Sequence, residues 1–405
     1  MKNISTILIA GGGIGGLTAA LCLARDGHQV RLLEQANDFS EAGAGIQLSP
    51  NCSRVLHALD LGPALQTSGF LPEATQFRHW RSGAVINESR LGQQTIETYG
   101  APYYHIHRSD LLHILLTSAR QDSNIELLTG SAVTGFSQTA DKVIVSSNKR
   151  VFEGDALIGA DGIHSTVRAG LWGPSKSRFT GNIAWRALVP TDQLPAGLIR
   201  PMSTVWWGPG KHFVHYYVRG GKYVNCVCVV EKSGWELESW TEPGDHRELK
   251  ADFQGWHPDI QHLIDRADPT SLYKWALYDR DPMSAWGQSR ISLLGDACHP
   301  TLPFMAQGAA MAIEDAAVLA GCLRNCLGNN TGTGQKSRME ISAGLKQYES
   351  LRKPRTKQIQ LGSRRNATVF HLSGIKAWLR NRAAKAAGAR TMDNLYRYNA
   401  LTAAE

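Results

Sequence analysis

The sequence predicts an α/β fold, in which a parallel sheet with helices is joined to a β-rich segment and to terminal helices. Three observations support this prediction. A strand, a glycine turn, a helix and a second strand follow one another over residues 4–33. Residues 203–232 are rich in Val, Trp, Tyr and His and contain a Gly220-Gly221 turn, a pattern typical of an antiparallel hairpin. Residues 340–390 alternate good helix formers with basic residues, which indicates terminal helices.

The parallel layer is predicted from short apolar runs that alternate with helical patterns. Residues 4–10 form a buried strand, residues 14–26 carry apolar side chains at helical spacing, and residues 28–33 form the second strand of a βαβ unit. A further short strand is expected at 291–295, followed by a helix near 307–326. These elements lie far apart in the chain, so the parallel layer is expected to be assembled from separated segments.

Composition excludes several classes of protein. With 405 residues, 42% hydrophobic and 19% charged, the chain is neither disordered nor collagen-like, and it suggests two or three domains. The seven Cys include no CxxC pair, which favours a reducing compartment without structural disulfides or a zinc site. No apolar run is long enough to span a membrane. We therefore expect a cytoplasmic protein without membrane insertion.

A glycine-rich turn after the first strand predicts a dinucleotide site. Gly11, Gly13 and Gly16 form GxGxxG, and Gly15 lies in the same turn. The first glycine permits the tight turn, the second lets the backbone approach a pyrophosphate, and the third lets the helix pack on the strand. Glu34 ends the second strand, where an acidic residue binds ribose hydroxyls. The motif by itself does not separate FAD from NAD.

Two further motifs place a carboxylate directly after an apolar strand. Residues 157–162 (LIGADG) contain Asp161, and residues 293–300 (LLGDACHP) contain Gly295 and Asp296. Ligands of open α/β sheets bind at this end of the strands. Because Asp296 is distant in sequence from the glycine turn, it is expected to contact a different part of an extended cofactor. The loop before the next helix carries three more candidates: Pro303, Gln307 and Gly308.

The motifs GxGxxG, GADG and GDACHP, in this order, resemble those of the single-component flavin-dependent aromatic hydroxylases of the para-hydroxybenzoate hydroxylase fold. The resemblance covers residues 4–360. It implies a Rossmann-like FAD-binding domain, FAD as cofactor, and NADH or NADPH as the co-substrate that reduces the flavin. It also implies that O2 adds to the flavin and that the resulting flavin hydroperoxide hydroxylates an aromatic ring. The chain has no second GxGxxG, in contrast to disulfide reductases of related architecture.

The same resemblance implies roles for individual residues. Glu34 would bind the adenosine ribose and Asp296 the ribityl chain. Asp161 belongs to the motif that serves FAD and the nicotinamide cofactor, and Arg108, in HRSDL, matches an FAD-contacting arginine. The segment beside the flavin ring would contain Pro303, Gln307 and Gly308, with Gln307 taking part in catalysis.

Residues 205–219 (VWWGPGKHFVHYYVR) are the predicted substrate segment. In a strand, His212, Val214 and Tyr216 lie on one face. His212 and Tyr216 would be about 13 Å apart at about 3.3 Å per residue, which leaves room for one substituted aromatic ring. Ring hydroxylation is easier on a phenolate than on a phenol. A neutral His accepts a proton and a Tyr positions or relays one, so both residues are catalytic candidates.

This segment resembles 3-hydroxybenzoate 6-hydroxylases, which share the pattern GPGxHxVHY and whose His and Tyr match His212 and Tyr216. The 6-hydroxynicotinate 3-monooxygenases have the same His-to-Tyr spacing but a His in place of Gln47, which counts against that substrate. Salicylate hydroxylases share the cofactor motifs more than this segment. His215 and His299 are expected to be structural. Further candidates for binding a substrate carboxylate are Arg81, Trp185 and Arg186.

The predicted function is therefore an FAD-dependent monooxygenase that hydroxylates an aromatic acid of the 3-hydroxybenzoate or salicylate type. Its partners would be the acid, O2 and NAD(P)H, without nucleic acid, and a homodimer is left open. The alternatives are a hydroxylase of 6-hydroxynicotinate or of a quinone precursor, and a non-catalytic flavin-binding sensor. A flavin halogenase would carry WxWxIP, and the nearest segment here, WRALVP, lacks the second Trp.

Domain boundaries and charge complete the prediction. The FAD-binding domain is expected at 1–175 and 276–345, the β-rich substrate domain at 176–275, and a basic helical segment at 346–405. The net charge is +8, yet residues 352–397 contain 12 Lys or Arg and one acid. The rest of the chain is close to neutral. Solvated helix faces are the expected explanation of this local excess. The alternatives are a dimer contact and a weak field that attracts the anionic substrate and NAD(P)H.

Overall fold

The fold is described from a computed structural model. The structure describes residues 4–39, 44–232, 234, 242–328, 335–387 and 392–405. Among these, no helix combines the length and the apolar character that crossing a bilayer requires.

Strands and helices are numbered in chain order. The strands are β1 (Thr6–Ala10), β2 (Gln29–Leu33), β3 (Gly45–Leu48), β4 (Ala74–His79), β5 (Val85–Arg90), β6 (Tyr104–His107), β7 (Ile125–Leu128), β8 (Val133–Gln138), β9 (Val143–Ser147), β10 (Val151–Gly154), β11 (Ala156–Gly159), β12 (Arg178–Pro190), β13 (Ser203–Gly208), β14 (Lys211–Val218), β15 (Tyr223–Glu231), β16 (Tyr273–Asp279) and β17 (Ile291–Leu293). The helices are α1 (Ile14–Arg25), α2 (Pro50–Ala58), α3 (Gly62–Ser68), α4 (Gln93–Tyr99), α5 (Arg108–Gln121), α6 (Thr166–Trp172), α7 (His246–Asp252), α8 (Pro258–Asp265), α9 (Gly308–Gly328), α10 (Gln335–Phe370), α11 (Gly374–Ala387) and α12 (Asp393–Tyr396).

A five-stranded parallel sheet, in the order β17-β11-β1-β2-β7, forms the nucleotide-binding layer. The predicted βαβ unit is confirmed as β1, α1 and β2. Its central strand is apolar on both faces, because Ile7, Leu8 and Ile9 are fully buried, as expected for a parallel strand covered by helices. The predicted strand at 291–295 and helix at 307–326 are confirmed as β17 and α9. β11 and β17 therefore end beside the glycine turn.

A seven-stranded mixed sheet, in the order β16-β12-β15-β14-β13-β4-β5, forms the second layer. The predicted hairpin at 203–232 is a three-stranded meander, because Gly208 pairs with Lys211 across a second tight turn at Gly210. The sheet also includes β4 and β5, which the predicted boundaries place in the FAD-binding domain. β4 pairs in parallel with β13, a long-range pairing that a local pattern does not reveal.

The two faces of the seven-stranded sheet have different environments. One face packs against α7 and α8, through Trp185, Phe213 and Phe253 among others. The other face carries Trp207 and Val227 and turns toward the parallel layer. Because side chains alternate along each strand, neighbouring residues of β14 serve different purposes on the two faces.

The terminal helices are confirmed as α10, α11 and α12, but the explanation expected for their charge is only partly right. Arg352 of α10 is fully buried and ion-paired with Glu314 and Asp315 of α9, each at 2.7 Å. Arg364 pairs with Asp279 at 2.6 Å. Part of the basic excess therefore neutralises carboxylates outside the terminal helices and does not lie on a solvated helix face.

Candidate active site

The glycine turn has the backbone geometry that a dinucleotide site requires. Gly11 has a φ of +105°, and a Cβ there would lie 2.4 Å from the carbonyl oxygen of Ala160. A Cβ at Gly16 would lie 2.0 Å from the carbonyl oxygen of Gly11, so α1 approaches the turn too closely for any side chain. Gly13 caps α1 without a side-chain hydrogen bond. The helix N-terminus is thus free of side-chain caps, as phosphate binding requires.

Glu34 lies at this turn, as predicted. Its Oε2 accepts a hydrogen bond from the Gly12 N–H at 2.7 Å, and its Oε1 accepts one from the Ala36 N–H at 2.8 Å. A carboxylate oxygen can accept more than one hydrogen bond. Glu34 therefore keeps acceptor capacity for ribose hydroxyls while the backbone fixes its position.

The other two predicted carboxylates also suit an extended cofactor. Asp161 accepts a hydrogen bond from the Val167 N–H through Oδ2 at 3.1 Å, while its Oδ1 is buried and has no partner among the described residues. Asp296 presents an exposed side chain to a large cavity. Arg108, at the start of α5, lines the same cavity. Burial raises the pKa of Asp296, and the charges of His299 and Arg108 oppose this shift. With the glycine turn, these residues fit FAD.

The cavity lies between the aromatic face of the seven-stranded sheet and the loop that precedes α9. Its volume is about 1050 Å³, at the upper end of the range for ligand and cofactor sites. His212, Val214 and Tyr216 all line it, so the alternation predicted for this strand is correct. Pro303 and Gly308 line it from the opposite side. The structure thus brings the predicted substrate strand and the predicted flavin loop to one space.

His212 is suited to act as a base. It is 3% exposed, and its Nδ1 hydrogen-bonds with Nε2 of His371 at 2.9 Å. Burial, followed by the proximity of His371, holds the pKa of His212 well below its usual range, so the imidazole is neutral. Tyr216 is also buried, and burial raises the pKa of its phenol, which keeps it protonated. A neutral acceptor and a neutral donor therefore lie on the same strand face.

Arg186 is the cavity residue suited to an anion. Its guanidinium stacks 4.9 Å above the Trp275 ring, and its Nε is buried with no partner among the described residues. Arg186 pairs with Val227, which pairs with Val214, so it lies about 10 Å across the sheet from Val214, at about 4.8 Å per strand. Its position between the levels of His212 and Tyr216 suits a substrate carboxylate.

The other two candidates for binding a carboxylate lie elsewhere. Trp185 faces the helical side of the sheet, where its Nε1 donates to Asp252 at 2.9 Å. Arg81 is exposed at the turn between β4 and β5 and does not line the cavity. Neither residue contacts the space that a substrate would occupy.

Gln47 lines the cavity in a fixed orientation. Its Nε2 donates to the Ser203 hydroxyl at 3.0 Å, and its Oε1 accepts from the Tyr103 hydroxyl at 2.7 Å. This arrangement holds a neutral amide where the 6-hydroxynicotinate enzymes are expected to carry a His.

Gln307, for which a catalytic role is predicted, lies in the loop beside the cavity, but its side chain is turned away from it. Its side chain does not line the cavity. It is 2% exposed, its Nε2 donates to the Ser49 hydroxyl, and its Oε1 accepts from Asn51, both at 3.0 Å. The buried network holds the amide and fixes the loop beside the cavity, and a catalytic role of Gln307 stays a prediction.

His215 and His299 have structural positions, in keeping with the expectation. His215 lies on the helical face of the sheet and accepts a hydrogen bond from Trp206 Nε1 at 3.0 Å. His299 is buried against Asp315, with 2.5 Å between Nε2 and Oδ2. Neither lines the cavity.

Two features of the site escaped prediction from sequence. The first is the buried network of Glu314, Asp315 and Arg352, whose only sequence signal is an acidic pair in an otherwise apolar helix. Its members connect to Gln307 through Asn51, which bonds Glu314 at 2.6 Å. The second is His371, which closes the cavity wall behind His212 and follows α10 with no motif around it.

Comparisons with known proteins agree with this geometry. A family model described as the FAD binding domain matches residues 5–362. The chain is 38% identical to 3-amino-4-hydroxybenzoate 2-monooxygenase of Streptomyces platensis, covering 95% of this chain and 94% of the relative. It is 38% identical to 6-hydroxynicotinate 3-monooxygenase of Pseudomonas fluorescens, covering 89% and 90%. It is 36% identical to 3-hydroxybenzoate 6-hydroxylase of Klebsiella oxytoca, covering 94% and 92%.

A solved structure is similar over the whole chain. Klebsiella pneumoniae HpxO, complexed with FAD and uric acid, has a TM-score of 0.84 and 27% identity, and the alignment covers 99% of this chain and 98% of that one. The discontinuous parallel layer, the second sheet and the terminal helices therefore belong to one shared arrangement.

Proposed function

The chain belongs to the FAD binding domain family and is an FAD-dependent monooxygenase of the aromatic hydroxylase type, and from that premise we propose that its substrate is a hydroxylated aromatic acid. We assign the 3-hydroxybenzoate or salicylate type, with NADH or NADPH as the reductant. The observation that carries the proposal is the pairing, in one cavity, of a neutral His212 with the Nε of Arg186, which lacks a partner.

The substrates named for the relatives share the chemistry that this pairing would recognise. 3-Amino-4-hydroxybenzoate, 6-hydroxynicotinate and 3-hydroxybenzoate each carry a ring hydroxyl and a carboxylate. A guanidinium binds a carboxylate through charge-assisted hydrogen bonds, and Arg186 is a cation of the cavity lining whose buried Nε–H has no partner among the described residues. With the carboxylate at Arg186, the ring hydroxyl is directed toward His212 on β14.

The residues of the chain then prepare the ring for oxygen transfer. Bound FAD, once reduced, supplies the activation of O2. His212 accepts the proton of the ring hydroxyl at Nε2, which raises the electron density of the ring. Tyr216 donates a hydrogen bond and fixes the ring in its plane. Trp207 and Phe304 line the cavity with apolar surface and exclude water from the reacting atoms.

Gln47 favours the benzoate type over the hydroxynicotinate type. Its amide is held by Ser203 and Tyr103, so it does not act as a second base beside the ring. A substrate whose ring nitrogen needs a further proton transfer would lack a partner there. The 3-amino-4-hydroxybenzoate type stays within the proposal, because its hydroxyl and carboxylate make the same demands on His212 and Arg186.

The test is oxidation of NADH and NADPH by the FAD-loaded protein with a panel of hydroxybenzoates, aminohydroxybenzoates and hydroxynicotinates. Product and hydrogen peroxide are measured separately, because uncoupled effectors also stimulate NAD(P)H oxidation. Matched controls are the amide and the methyl ether of the best acid, which remove the carboxylate and the acidic hydroxyl. We expect product from a hydroxybenzoate and little from either control. Product from a neutral quinone precursor alone would overturn the substrate assignment.

A further inference from the structure

We propose that His212, His371 and Glu231 form a proton relay that carries the proton of the substrate hydroxyl from the cavity to solvent. The relay rests on the proposed function, since it needs a substrate that loses a proton to His212. His371 and Glu231 would be positioning residues in this scheme, because they act through His212 and do not touch the substrate.

The three side chains form an unbroken chain of hydrogen bonds. His212 Nδ1 and His371 Nε2 are 2.9 Å apart, and His371 Nδ1 and Glu231 Oε1 are 2.8 Å apart. The imidazoles are buried, whereas the side chain of Glu231 is 55% exposed. The chain therefore begins at the cavity wall and ends in water.

The carboxylate at the outer end sets the direction of every bond. An ionised carboxylate only accepts hydrogen bonds, so His371 carries its proton on Nδ1 and offers Nε2 as an acceptor. His212 must then donate from Nδ1 to His371. This leaves the lone pair of His212 on Nε2, the nitrogen that makes no hydrogen bond among the described residues. Glu231 thus fixes His212 in the tautomer that can accept a proton from the cavity.

Neither imidazole can stay protonated on both nitrogens. Burial, followed by the proximity of His371, keeps the pKa of His212 low. The pKa of His371 is also lowered, by burial first and by the nearby Arg380, although Glu231 opposes this shift. A proton on His212 is therefore transferred onward rather than stored.

The transfer balances when the three bonds shift together. The substrate O–H breaks as an N–H forms at His212 Nε2. His212 Nδ1–H breaks as an N–H forms at His371 Nε2, and His371 Nδ1–H breaks as an O–H forms on Glu231. The substrate gains one negative charge, Glu231 loses one, and both imidazoles stay neutral. Glu231 then releases the proton to water.

The backbone holds His371 for this task. Its carbonyl oxygen accepts a hydrogen bond from the Gly210 N–H at 3.0 Å, which ties it to the turn that begins β14. Arg380 donates to the carbonyl oxygens of Val369 and Phe370 at 2.9 and 2.8 Å, so the end of α10 is also fixed. His371 is thus anchored to the strand that carries His212.

The test compares Glu231→Gln with Glu126→Gln, a control that replaces another exposed, ion-paired carboxylate on β7. A Gln amide can still accept the hydrogen bond from His371 Nδ1 through its carbonyl oxygen, but it cannot take up a proton. The relay therefore loses its terminal proton acceptor. At pH 7 we expect kcat/KM of Glu231→Gln to fall roughly 100-fold, with FAD binding unchanged.

The pH profile separates a relay from a structural effect. The kcat/KM of Glu231→Gln should rise about tenfold per pH unit toward the pKa of the free phenol, about 10, because only the preformed phenolate reacts. Wild type and Glu126→Gln should lack this rise. A Glu231→Gln profile that matches wild type at every pH would overturn the relay.

A second measurement does not depend on turnover. Nitrogen-15 NMR of histidine-labelled FAD holoenzyme reports which nitrogen carries each proton. We expect the Nδ1–H tautomer for both His212 and His371 in wild type. An Nε2–H tautomer for His212 in wild type would refute the relay even if hydroxylation were found. Absence of hydroxylation with the expected tautomers would refute the proposed substrate, and with it the transfer.

Discussion

The cofactor turn and the substrate cavity are built on different physical principles. The turn is contiguous in sequence, and its function comes from backbone geometry, namely a positive φ at Gly11 and the missing Cβ of Gly16. The cavity is assembled from side chains that lie far apart in the chain, such as Gln47, His212 and Phe370. Substitutions in the turn should therefore affect cofactor binding, whereas substitutions in the cavity should affect the rate with the cofactor still bound.

The largest effect is expected at the buried ion pairs that join α9 and α10. Arg352→Met removes the buried partner of Glu314 and Asp315 and leaves two carboxylates undercompensated. We expect a loss of about 3–5 kcal/mol in the free energy of unfolding, measured by denaturant titration. Lys353→Met, on an adjacent partly exposed residue of the same helix, is the control and should change stability little. Equal stability of both variants would contradict the structural role of the network.

The cofactor turn is tested by Gly11→Ala. The new Cβ meets the carbonyl oxygen of Ala160, and the backbone must leave its φ of +105°. We expect roughly 100-fold weaker FAD binding, equivalent to backbone strain of a few kcal/mol, measured by flavin fluorescence titration of the apoprotein. Gly27→Ala shares the positive φ but has open space around its Cβ, so it should keep FAD. Loss of FAD from both variants would show that backbone strain accounts for the weaker FAD binding without the close contact to the Ala160 carbonyl oxygen.

The cavity is tested by His212→Gln, which removes the base but keeps a polar side chain of similar length. FAD binding should match wild type, while single-turnover hydroxylation slows by roughly 100-fold, within the range for loss of a general base. Unchanged turnover would remove His212 from the mechanism. Loss of FAD would contradict the expectation that substitutions in the cavity leave cofactor binding intact.

The smallest effect on turnover is expected for His215→Gln, on the opposite face of β14. Burial lowers the pKa of His215 to about 3, so the unfolded chain binds a proton that the folded chain excludes. Stability is lost as the pH falls below about 6.5, and removing His215 should reduce the loss between pH 7 and pH 5 by about 2 kcal/mol. Turnover should be unchanged. A rate loss like that of His212→Gln would contradict the assignment of the two faces.

These contrasts also explain what could be predicted from the sequence. Gly11, Glu34, Asp161 and Asp296 follow apolar strands, and the end of a parallel strand is a position that local pattern locates. The alternation that separates His212 from His215 is equally local. Long-range pairings have no such signal, which is why the parallel pairing of β4 with β13 was not predicted.

Side-chain networks were harder to predict from the sequence. The amide of Gln307 is turned to Ser49 and Asn51, more than 250 residues earlier in the chain, and its position in the loop does not reveal these hydrogen bonds. Arg352 looked like one of many basic residues in a charged segment, because its partners lie on another helix. His371 has no motif at all, and only the packing of α10 against β14 identifies it.

The central claim is that the ring hydroxyl of an aromatic acid faces His212 while its carboxylate binds Arg186. A crystal structure of the FAD holoenzyme with its best acid substrate tests this most directly. We expect the hydroxyl oxygen to lie within about 2.6–3.2 Å of His212 Nε2, with the carboxylate hydrogen-bonded to Arg186. A bound acid whose hydroxyl contacts neither His212 nor a water held by it, with its carboxylate away from Arg186, would contradict the account.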